Sequence, residues 1–184
     1  MVRKDNSKRM HHPLVSSDMI FLKLNEEWQI SILPVTLAEF GEFIRNGKYF
    51  NQDHWNGFCS TDNGDAVLRR IGYGLRSSKE AVGNINWFEA DAYCRCMGGR
   101  LPWLAEQDSL RANLMTSSRK GIRQTPRGKI LSREWCGEWY NRNSGRSNVR
   151  ASETPPTRVI VGEPHHAVPD YTAPNLGFRL VRPV

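Results

Sequence analysis

The sequence predicts an α+β fold with small antiparallel sheets, two or three helices and long loops, and three observations predict it. A helix from Asn86 to Met97 carries signals for both of its ends, short strand-like runs stand near either end of the chain, and polar, glycine-bearing stretches join them. No internal repeat is present, so the elements pack as one domain over residues 18–184, preceded by a basic tail over residues 1–17. At 184 residues the chain can bury about 70% of its unfolded surface. Six tryptophans among 10% aromatic residues argue for a packed core rather than disorder.

In chain order, Met19 to Leu24 and Trp28 to Ile32 read as two strands joined by the polar turn Asn25-Glu26-Glu27. Thr36 then caps a helix, with Glu39 three residues on to complete a capping box, and Leu37, Phe40, Phe43 and Ile44 on the inner face. The stretch from Asn46 to Gly83 is polar, glycine-bearing and broken, and reads mainly as loop. Its run Asp62-Asn63-Gly64-Asp65 is oxygen-rich but too short for an ion loop, and reads as a solvated turn.

Asn86 and Glu89 form a second capping box. Trp87, Ala90, Cys94 and Met97 recur at helical spacing, and Gly98-Gly99 supplies a left-handed stop. A further helix spans Trp103 to Met115, with Trp103, Leu110 and Leu114 on one side. Thr157 to Val161 and Phe178 to Val181 are the late strands.

No apolar run is long enough to cross a bilayer, and the first residues lack the apolar stretch of a secretory signal, so the expected location is cytoplasmic, away from membranes. The four cysteines, Cys59, Cys94, Cys96 and Cys136, are then expected to be mostly reduced. Cys94 and Cys96 stand about 200° apart around a helix and cannot share an ion or a disulfide without unwinding it. Cys94 reads as core, and Cys136, between Trp135 and Trp139, as another small buried side chain.

Four segments carry a family resemblance and keep its order. Trp28 to Ile44 contains Pro34-Val35-Thr36 before Phe40 and Phe43; Asn86-Trp-Phe-Glu-Ala-Asp-Ala-Tyr-Cys94 runs into Gly99-Arg-Leu-Pro102. Arg133-Glu-Trp-Cys-Gly-Glu-Trp-Tyr140 and Asn175-Leu-Gly-Phe-Arg-Leu-Val-Arg182 follow. Together they resemble the formylglycine-generating enzyme, or sulfatase-modifying factor, family in a shortened and divergent form. The resemblance implies a variant of the C-type-lectin-like fold, with loops carried on a rigid scaffold. It also implies an activity: oxidation of a substrate cysteine to an aldehyde with oxygen and a copper ion held by two cysteines.

The residues for that chemistry are missing. The family's copper cysteines lie shortly before the closing strand, where this chain has Arg158 to Gly177 without a cysteine, and no cysteine follows Cys136. Monovalent copper prefers thiolate ligands, so the site does not carry over. The family's calcium-holding insertion is also reduced: Ser117 to Arg133 contains no Asp or Glu, whereas calcium needs several oxygens, some of them charged. No catalytic residue, metal site or cofactor is therefore assigned. His165 and His166, near Asp170 and Tyr171, fall in the loop where the family forms its active site. Related sulfoxide synthases hold iron through histidines, so a metal site joining His11, His12 or His54 stays open as an alternative. Adjacent histidines on extended backbone point to opposite sides, which weighs against it.

Charge is uneven. From Arg119 to Arg150 nine basic residues face two acidic ones, an excess equal to the whole chain's formal +7. Arg119, Lys120, Arg123, Arg127, Lys129 and Arg133 form the candidate patch for an anionic partner. No helix-turn-helix, ribonucleoprotein motif or zinc finger accompanies it, so a protein or other macromolecule is expected ahead of nucleic acid. A solvated face is the plain alternative. The expected function is a binding module without catalysis, working through loops 117–150 and 162–175. By analogy with variable ligand-binding proteins of phages and bacteria that use the same fold, Asn141, Arg142, Asn143, Arg146, His165, His166, Asp170 and Tyr171 are its candidate contacts. The alternative is a metal-dependent oxidase with a centre rebuilt from His165, His166 or Cys59.

Overall fold

A computed structural model of the chain describes residues 19–58, 62–119, 133–140, 157–163 and 165–184. The first strands, β1 (Phe21–Lys23) and β2 (Trp28–Ser31), pair antiparallel across a turn in which the Asn25 side chain accepts from the Glu27 and Trp28 amides. Helix α1 (Leu37–Arg45) starts at the Thr36–Glu39 capping box, and its predicted inner face is buried. Two short 3-10 turns, Lys48–Phe50 and Gln52–His54, lead toward α2 (Gly64–Arg70). Helix α3 (Trp87–Cys96) follows the Asn86–Glu89 capping box, and α4 (Leu104–Arg119) comes after Arg100-Leu101-Pro102. The remaining strands are β3 (Arg133–Trp139), β4 (Arg158–Val161), β5 (His166–Ala167), β6 (Leu176–Gly177) and β7 (Val181–Pro183).

Two small sheets result, with strand orders β1-β2-β7 and β5-β4-β3-β6. Phe40 and Phe43 of α1, Tyr93 of α3 and Phe178 meet through ring contacts of 5.4–6.1 Å, joining both helices to the chain's closing segment. Edge-to-face and offset rings at these separations add to the burial of their apolar area. Trp87 donates from Nε1 to the Cys136 carbonyl at 2.8 Å, and Trp135 from Nε1 to the Ile85 carbonyl at 2.9 Å. These two bonds clamp β3 against α3 and the loop before it. No helix among the described residues is long and apolar enough to cross a membrane.

Several expectations are corrected. Four α-helices stand among the described residues rather than two or three, because the stretch expected to be loop contains α2. There Asn63 is a cap, accepting from the Ala66 amide, and Asp62 lies 3.6 Å from Arg70, so the expected solvated turn is a helix start. The sheets are not wholly antiparallel: β3 and β6 run parallel. Helix α3 is buried at seven of its ten residues, including Glu89 and Asp91, and forms a central spine. Trp103 precedes α4 and is exposed, with Arg100 over its ring at 5.3 Å. Phe178 to Leu180 lies between β6 and β7 rather than within a strand. The expected basic tail lies outside the described residues.

Candidate functional site

Strand β3 delivers side chains alternately to two faces. Glu134 and Glu138 reach α4: Glu134 accepts from Gln107 Nε2 at 3.0 Å, and Glu138 Oε1 accepts from the Leu104 amide at 2.7 Å. Trp135 and Trp139 face α3. The β3–β4 register shifts between Trp135 and Trp139, placing Trp139 opposite Arg158. Such a bulge twists a strand and re-aims the side chains beyond it.

The re-aimed Trp139 completes a three-layer stack. The Arg158 guanidinium carbon sits 3.5 Å from the ring centroid of Trp87 and 3.4 Å from that of Trp139, and the two indoles lie within 22° of parallel. Arg158 Nη1 donates to the Gly137 carbonyl at 3.0 Å, while its Nε is buried with no partner among the described residues. Burial pushes the guanidinium down to about 10, with Asp91 acting in the opposite sense. Two indole faces offset part of that desolvation through their negative quadrupoles. Trp139 is thus fixed from behind yet 50% exposed. Beside it Tyr140 stacks on His166, with centroids 3.9 Å apart.

Between α4 and the ends of β3 and β4 runs a groove of about 460 Å³. Leu104, Asp108 and Arg111 form one wall, and Trp139, Tyr140 and Val159 are among the residues opposite. Glu138 also lines it, and its Oε2 is buried without a hydrogen-bond partner among the described residues. A buried acceptor left unpaired costs about 1–3 kcal/mol. The Tyr140 amide bonds the Thr157 carbonyl at 2.8 Å, so the residues flanking 141–156 meet at this end of the sheet.

The predicted contacts divide between two places. His165 lines the groove, exposed, with Nε2 2.8 Å from Glu163; His166 forms the stack with Tyr140 and has a buried Nδ1 with no partner among the described residues. Tyr171 lies instead beside Arg133, whose guanidinium is 5.8 Å from its ring and bonds its hydroxyl at 3.4 Å and the Asn175 side chain. Asp170, next in sequence, is exposed. Arg133 opens β3 and Trp139 closes it, a span of about 20 Å at the rise of an extended strand. Asn141, Arg142, Asn143, Arg146, Lys120, Arg123, Arg127 and Lys129 lie outside the described residues, as does the side chain of Arg119. His11, His12 and Cys59 lie outside them too.

The three cysteines among the described residues do not fit a copper centre. Cys94 and Cys136 are fully buried, Cys94 contacts the Arg179 carbonyl at 3.7 Å, and burial raises both thiols well above the ordinary range. Cys96 is half-buried and is raised for the same reason. Copper needs the thiolate, which these positions disfavour. Among the described residues no three His, Cys, Asp or Glu side chains gather around one point.

Glu138, Trp139, Tyr140 and Arg158 are absent from the sequence-derived contacts. Their available signal was the adjacent Trp139-Tyr140 at the end of a segment where Cys136 is flanked by bulky aromatics. The partner Arg158 is 19 positions from Trp139, and no local period joins them. Compared with known families, the chain matches the sulfatase-modifying factor enzyme 1-like domain over residues 21–113. No curated protein matches it.

Proposed function

This chain belongs to the sulfatase-modifying factor enzyme 1-like family as a short member, and we propose that it is a non-catalytic binding module built on that family's C-type-lectin-like scaffold. The observation that carries the reading is the groove beside Trp139: an exposed indole locked by Arg158 and an adjoining Tyr140–His166 stack, with no pair of accessible thiols among the described residues. Rigid aromatic side chains with few rotamers give contact area at low entropic cost, which suits recognition. The partner is a protein or other macromolecule, reached through loops 117–150 and 162–175. The basic run Arg119 to Arg133 favours an acidic partner surface, with binding that weakens as salt rises.

The test is metal analysis of the purified protein together with copurification. Expected are less than stoichiometric copper and iron, and a partner retained by the native chain but lost from Trp139→Ala. Stoichiometric copper or iron that disappears in His165→Ala or Cys59→Ala would overturn the reading in favour of a rebuilt oxidase.

A further inference from the structure

We infer that Asn56-Gly57 is a self-modifying site, at which the asparagine of the folded protein converts through a succinimide to isoaspartate and aspartate. The chain contains three Asn-Gly pairs, Asn46-Gly47, Asn56-Gly57 and Asn63-Gly64. Glycine leaves the following amide nitrogen unhindered by a Cβ, so the three share one intrinsic chemistry, and the fold separates them. The Asn63 side chain is taken up as the cap of α2, accepting from the Ala66 amide at 2.8 Å. The Gly47 amide donates to the Ile44 carbonyl at 3.0 Å, just past the end of α1. Asn56 and Gly57 are both exposed, and neither the Asn56 carboxamide nor the Gly57 amide has a hydrogen-bond partner among the described residues. Positive φ alone does not make such a site. Asn84 shares it at +57°, but it precedes the branched Ile85, and its Nδ2 donates to the Arg70 carbonyl at 3.1 Å.

The reaction needs only water and a base. Once the Gly57 amide has given up its proton, its nitrogen attacks Asn56 Cγ; a C–N bond forms, the side-chain nitrogen takes up a proton and leaves as ammonia, and a cyclic imide remains. Water then opens the imide at either carbonyl. Opening at Cγ gives aspartate with the main chain unchanged, and opening at the α-carbonyl routes the chain through Cβ as isoaspartate. Nothing is oxidised or reduced. Either product adds one negative charge, lowering the formal net charge of +7 by one. The isoaspartyl product also adds a main-chain atom to a tight turn. That turn runs from Trp55 to Phe58, is closed by the Phe58 amide donating to the Trp55 carbonyl at 2.9 Å, and holds Asn56 and Gly57 at φ +47° and +83°, both positive as a type I′ turn requires. Trp55 is anchored in the core, its Nε1 donating to the Tyr49 carbonyl at 2.6 Å, so the extra atom displaces the other end of the turn. There Phe58 lies against Phe88 with centroids 4.2 Å apart, and the modification loosens that contact.

Incubation of the full chain at mildly alkaline pH, followed by peptide mass mapping and labelling with an isoaspartate-specific methyltransferase, tests this site by site. Asn56 is expected to convert about tenfold faster than Asn63, whose cap bond must open first, and several-fold faster than Asn46. Asn56→Gly keeps the left-handed turn but has no side-chain amide to cyclise, so isoaspartate at this position disappears while Asn46 and Asn63 react as before. In urea the hydrogen bonds that shield Asn46 and Asn63 are gone, and the three sites should converge on one rate. An Asn56 that stays intact, an Asn46 or Asn63 that keeps pace with it in the folded chain, or the same order of rates in urea overturns the inference. Deuterium exchange at the Phe58 amide should quicken in the isoaspartyl form, and unchanged exchange would overturn the opening of the turn.

Discussion

Arg158 shows how much one side chain does at the end of the second sheet. Its planar guanidinium can lie flat against both Trp87 and Trp139 while bonding the Gly137 carbonyl. An ammonium has no such plane and is more strongly hydrated. Arg158→Lys should therefore keep the charge yet lower stability by about 2 kcal/mol, on the scale of a desolvated cation–π contact, measured by urea unfolding. Trp139 should become more accessible to a soluble fluorescence quencher in the same variant. The buried thiols give a second residue-level expectation. Burial raises Cys94 and Cys136 above the ordinary thiol value of 9.0. Above that value the unfolded chain releases protons that the folded protein keeps, so ∂ΔG/∂pH is negative and stability falls as pH rises past 9. Melting temperatures from pH 8 to 10.5 should decline, and less steeply in Cys136→Ala, which removes one of the groups responsible.

At the scale of the element, α3 was readable in advance because everything that bounds it is local. Asn86 and Glu89 bond each other's backbone amides as a capping box, and Gly98 has φ +72° just past the C-cap. Its surroundings were not local: Glu89 also pairs with Arg70 at 2.5 Å and accepts from the Tyr49 hydroxyl at 2.9 Å, residues 19 and 40 positions away. Those contacts turn a helix that reads as amphipathic into one buried on nearly all sides. Helix α2 is not legible in the sequence for a related reason. Its seven residues carry Gly64 and two arginines and show no apolar stripe; it is held by the Asn63 cap and by burial of Val67. The two glycines after α3 have different duties. Gly98 needs the left-handed conformation, whereas a Cβ on Gly99 would overlap the Val181 carbonyl and crowd Leu180. Gly98→Ala should cost about 1 kcal/mol, and Gly99→Ala clearly more because backbone must move. Paired denaturant curves for the two variants check that order.

At the scale of the whole molecule, one buried ion pair ties the sheets together. Arg179 grips Glu134 of β3 with Nε and Nη2 at 2.7 and 3.0 Å and donates from Nη1 to the Ser31 and Ile32 carbonyls at the end of β2. Gln107 of α4 adds a third bond to the same carboxylate. The two segments that contain this pair, Arg133 to Tyr140 and Asn175 to Arg182, were legible as family words, but not their meeting, which joins positions 45 apart. The groove was hidden by the same kind of separation, since α4, β3, β4 and His165 contribute walls that no single stretch contains. Arg179 and Glu134 are 8% and 3% exposed, so removing one partner strands the other away from water. Arg179→Met alone should lose about 3–5 kcal/mol, whereas Arg179→Met with Glu134→Leu should recover most of the loss, as buried pairs replaced by apolar side chains of similar size often do. Chemical unfolding of the native chain, both single variants and the double variant closes the cycle. If the double variant is as unstable as Arg179→Met, the bonds to the β2 carbonyls, rather than the charge pair, hold the two sheets in register.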